Sequence, residues 1–108
     1  MSTRATIIVK NSNEKYHLYH HCDGYPEGIG KDLKNYLKTV SHWYPDDITN
    51  VLIKGGLNND DGYEITSGQH GDEEYGYLID CDKKRIKCYR LAWDEFDWKE
   101  SKVVEIPD

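Results

Sequence analysis

Apolar and polar residues alternate along two parts of the chain, and each part is broken by a cluster of turn-forming residues. Thr3 to Lys10 and Lys15 to His21 flank Asn11-Ser12-Asn13-Glu14, which predicts an antiparallel hairpin. In its second strand Tyr16, Leu18 and His20 share one face, and His17, Tyr19 and His21 the other. Tyr75 to Cys81 and Arg85 to Leu91 flank Asp82-Lys83-Lys84 and predict a second hairpin, with Tyr75, Tyr77, Ile79 and Cys81 on one face. A short strand is expected at Tyr63 to Thr66, between the loop clusters Asn58 to Gly62 and Ser67 to Glu74. Lys102 to Ile106 predicts a last short strand.

Between the hairpins the period changes. Ile29, Leu33, Tyr36, Leu37, Val40 and Tyr44 recur at steps of four, three, one, three and four, so the spacing predicts an amphipathic helix over 29–44. Lys31, Lys34, Asn35 and Lys38 take its polar face. Pro45 is expected to end it, and Asp46 or Asp47 to cap a shorter helix that turns Ile48, Val51 and Leu52 inward and stops at Gly55-Gly56. These elements predict an α+β fold. Its sheet is mostly antiparallel, built from two hairpins plus a short C-terminal strand, and packs against one long and one short helix in a single domain over 1–108.

Composition narrows the classes of function. No run of eighteen apolar residues occurs, and the N-terminus lacks a signal-peptide pattern, so a cytoplasmic protein without membrane association is expected. Cys22, Cys81 and Cys88 form no C-x-x-C pair, which fits reduced thiols. Residues 1–54 carry seven Lys or Arg against six Asp or Glu, and residues 55–108 carry seven against fourteen. Acidic clusters at Asp60-Asp61, Asp72-Glu73-Glu74, Asp94-Glu95 and Asp97 disfavour direct nucleic-acid reading and favour a partner with a basic groove. Nine tyrosines suit either an interface or cross-strand pairs on a sheet.

The chemistry concentrates between His20 and Gly30. Asp23-Gly24 supplies a turn pair, Pro26 fixes one backbone angle, and Gly28 and Gly30 allow angles that other residues avoid, so a tight strand-to-helix corner is expected. Helix amides at such a corner can hold an anion. The candidate ligand-binding residues are His20, His21, Asp23, Gly24, Tyr25, Glu27, Gly28 and Gly30. The competing structural role is helix capping by Asp23 or Glu27, and the stretch matches neither phosphate-loop spacing. No metal or other cofactor is expected. His17 and His21 would stand about 13 Å apart along one strand face, and the acidic loops lack calcium-hand spacing. Cys22 beside a histidine leaves a nucleophile open as the minor alternative.

The string His21-Cys22-Asp23-Gly24-Tyr25-Pro26-Glu27-Gly28 resembles an H-x-D-G-Y-P-E-G signature of small phage and mobile-element proteins. That resemblance implies a context rather than a reaction: a small binding protein, including inhibitors of host defence, working in the host cytoplasm. The leading expectation is a binding module for a protein partner or a phosphate-bearing small molecule. The alternatives are a small hydrolase using the His/Cys/Asp corner and a self-associating structural protein, a homodimer through an exposed sheet edge.

Overall fold

The structure, a computed structural model, describes residues 3–20, 23–54, 63–66, 73–91 and 102–106. Strands β1 (Ala5–Lys10) and β2 (Lys15–His20) form the first hairpin, paired from Ala5 with His20 to Lys10 with Lys15. Its turn is held by Asn11, whose Oδ1 accepts the amides of Asn13 at 2.8 Å and Glu14 at 2.7 Å. A five-residue turn, Pro26–Gly30, kinked at Gly28 (φ -95°, ψ -107°), leads into α1 (Lys31–Leu37), and α2 (Pro45–Ile53) follows. The remaining strands are β3 (Glu64–Ile65), β4 (Tyr75–Asp80), β5 (Arg85–Arg90) and β6 (Lys102–Val104).

One six-stranded sheet runs in the order β3-β2-β1-β4-β5-β6. The two hairpins and the last strand form as expected, but the sheet is mixed: β1 and β4 are parallel, from Ala5 beside Tyr75 to Lys10 beside Asp80, and the other neighbours are antiparallel. Parallel neighbours need a long crossover, and the helical segment between β2 and β4 supplies it. Ala5, Ile7 and Val9 of β1, Leu18 of β2, and Tyr77 and Ile79 of β4 face the helices and are buried. Ile29, Leu33 and Leu37, then Ile48 and Leu52, cover them. At about 25 cal/mol per Å² of apolar surface removed from water, each large aliphatic side chain there contributes roughly 1.5–3 kcal/mol.

The helices correct the expectation of one long and one short. α1 has seven residues and α2 has nine, so they are of similar size. Thr39 is the reason: its amide at 2.9 Å and its hydroxyl at 2.7 Å both donate to the Tyr36 carbonyl, and the Val40 amide bonds Leu37 O, which tightens the chain out of helical pitch. Val40 and Tyr44 therefore leave the buried stripe, and Tyr44 is 55% exposed as the residue before α2. Pro45 opens α2 rather than closing α1, since a first helical position needs no amide donor. Trp43 packs against the core. Among the described residues no helix is long and apolar enough to cross a membrane.

Candidate functional site

The His20–Gly30 corner uses its polar groups on itself. Asp23 takes a left-handed backbone, φ 52°, which a short polar side chain tolerates. Its carbonyl accepts the Ile29 amide, the Tyr25 carbonyl accepts that of Gly28, and the Gly24 amide donates to Thr3 O, each at 2.9 Å. The Gly24 carbonyl accepts the Tyr77 hydroxyl from β4 at 2.7 Å. The glycines answer to close approach. A Cβ on Gly28 would lie 2.3 Å from Asp23 O, one on Gly24 2.8 Å from Thr3 O, and one on Gly30 3.0 Å from the Tyr77 ring. The bend is a lock between β1, β4 and α1.

The expected site residues divide accordingly. His20 is fully buried on the helix side of the sheet, its ring centroid 4.6 Å from that of Tyr63. Asp23, Tyr25 and Glu27 are exposed, with the Tyr25 hydroxyl 3.3 Å from Asp23 Oδ1. Gly24 and Gly30 are buried and Gly28 half-buried. His21 and Cys22 lie outside the described residues, as do His70 and every residue of the expected acidic clusters except Glu73 and Glu74. Glu73 is buried, and Glu74 lies 3.9 Å from Arg90. Among the described residues no three His, Cys, Asp or Glu side chains are grouped to hold a metal ion.

A different cluster forms on the opposite face of the sheet, at the end where the hairpins turn. The register places Lys15, Lys10, Asp80 and Arg85 in one row across β2, β1, β4 and β5. His17, Ile8, Leu78 and Lys87 form the next row, and Tyr19, Thr6, Gly76 and Tyr89 the one after. Lys10, Leu78, Asp80, Lys83, Arg85, Lys87 and Tyr89 line a cavity of about 170 Å³. Asp80 Oδ1 accepts the amides of Asp82 at 3.1 Å and Lys83 at 3.2 Å, fixing the turn. No ion pair or hydrogen bond engages the side chains of Lys10, Lys83, Arg85 or Lys87 among the described residues. Four cations against one carboxylate leave three net positive charges on a chain whose sum is -6.

Sequence reasoning missed this cluster. Alternation on β5 already put Arg85, Lys87 and Tyr89 on one face, but only the parallel pairing of β1 with β4 adds Lys10.

A second cavity, about 300 Å³, opens on the helix side beside β5 and β6, among Lys34, Ile86, Cys88, Val104 and Ile106. Lys34 Nζ donates to Ile106 O there at 3.1 Å. Burial pushes the Cys88 thiol up to about 11; the Tyr77 hydroxyl opposes the shift and Glu27 adds to it. Cys88 is thus a protonated wall at neutral pH. The sheet ends in two short edge strands, on which Ile65 is 62% and Val103 56% exposed.

Compared with protein-family models, with curated proteins and with solved structures, the chain matches none of them.

Proposed function

We propose that this chain is a small binding module of phage or mobile-element type that captures a phosphate-bearing small molecule, with the basic pocket between β1, β4 and β5 as its receptor. The observation that carries this reading is the convergence of Lys10, Lys83, Arg85 and Lys87, none of them ion-paired among the described residues, on one concave site. Uncompensated cations sharing a partly enclosed space raise the local anion concentration, and Arg presents a planar fork suited to phosphate oxygens. The corner offers less to an anion, because backbone carbonyls take three of its amides. The H-x-D-G-Y-P-E-G resemblance supports the phage context and, with it, interference with host defence by sequestering a ligand.

Thermal melting of the full chain with inorganic phosphate, glycerol 3-phosphate, ribose 5-phosphate and nucleotides tests this reading. At least one phosphate compound should raise Tm, less so as salt rises. K10Q/R85Q should melt near the wild-type temperature without ligand and lose the shift, while K31A, on the exposed face of α1, keeps it. A flat response to every compound overturns the proposal. So does a shift that survives in K10Q/R85Q and disappears in H21A, which would return the ligand to the corner.

A further inference from the structure

We infer that the occupant of the basic pocket is a free nucleoside phosphate, bound at both ends: phosphate among Lys10, Lys83, Arg85 and Lys87, and the flat base against Tyr89 and Leu78. This deepens the phosphate-binding reading and rests on it. Arg85, Lys87 and Tyr89 alternate along one strand face, so the site runs about 13 Å from its charged end to its aromatic end at ~3.4 Å per residue. A bare phosphate uses only the first of these. Asp80 stands between Lys10 and Arg85, and its Oδ2 makes no hydrogen bond among the described residues. A carboxylate there repels an isolated anion but accepts a hydrogen bond from a sugar hydroxyl. Cation, hydroxyl acceptor and ring surface together fit the three parts of a nucleotide. The chain's net charge of -6 argues for a free nucleotide over a strand of nucleic acid, whose continuing phosphates would meet repulsion beyond the pocket.

Calorimetric titration of the full chain at low salt with inorganic phosphate, ribose 5-phosphate, AMP and a short single-stranded oligonucleotide tests the inference. AMP should bind at least tenfold more tightly than ribose 5-phosphate, the usual scale of one base stacked on one aromatic ring. Y89F should keep that preference, since the ring remains. Y89L should lose it while holding ribose 5-phosphate as well as wild type does; if Y89L fails to fold, L78A, which trims the other apolar wall without adding a charge, should reduce the preference and leave ribose 5-phosphate binding intact. Equal affinity for AMP and ribose 5-phosphate in the wild type overturns the inference and leaves the phosphate-binding reading standing. Tighter binding of the oligonucleotide than of AMP also overturns it. Absence of binding by every phosphate compound overturns the underlying reading instead.

Discussion

The strand-to-helix corner and the basic end of the sheet are opposite uses of polar groups. At the corner, histidine, aspartate, tyrosine and three glycines crowd together, yet the amides of Gly24, Gly28 and Ile29 and the carbonyl of Gly24 are bonded within the protein. At the pocket, ordinary-looking lysines and an arginine come from two strands and one turn, and no carboxylate side chain pairs with them among the described residues. Chemical richness in a short stretch therefore marks a place where the backbone bends sharply and must satisfy itself. On the proposed reading the receptor lies where like charges gather, because four cations there face a single carboxylate.

The sharpest way to break this comparison is to fill the corner. G28V sets a side chain where 2.3 Å separates the new Cβ from Asp23 O, backbone that cannot step aside. We expect a loss of about 3 kcal/mol or more in chemical denaturation. Wild-type stability in G28V would show that the corner is loosely held.

A smaller effect should follow from Y77F, which keeps the ring and removes the donor to the buried Gly24 carbonyl. The expected cost is about 1–3 kcal/mol, with phosphate-dependent stabilisation unchanged, because the pocket lies on the other face. Loss of ligand response in Y77F with full stability would reverse the assignment of lock and receptor.

The smallest effect concerns pH. Burial raises the Cys81 and Cys88 thiols from 9.0 to about 11, so the folded protein holds protons that the unfolded chain releases. Stability is then level below pH 9 and falls as pH rises from 9 towards 11. Tyr63 and Tyr77, also raised by burial, add to the loss only above their ordinary value of 10.0. Urea midpoints measured between pH 8 and 10 should decline in the wild type and stay nearly level in C81A/C88A. Equal slopes in the two proteins would show that the thiols are wet.

Much of the fold was legible because local rules governed it. Asn11 and Asp80 each receive two amides of the turn that follows, and the two four-residue connections close the hairpins that alternation had suggested. The end of α1 was harder to read. Val40 and Tyr44 keep the helical phase, while the backbone answers instead to Thr39 and its bonds to Tyr36. At the corner, residue types suggested reactivity, but Tyr77, far along the chain, consumes the Gly24 carbonyl, and burial removes His20 from solvent.

Alone, the amino-acid order determined which residues alternate, which recur with helical spacing and where the chain turns, since these depend on neighbours within a few positions. Tertiary structure decided the parallel contact of β1 with β4, which sets Lys10 and Arg85 on either side of Asp80, and the placement of Tyr63 against His20. The physical reason is that strand partners are chosen by burial of the whole sheet against the helices. No stretch of local sequence carries that information.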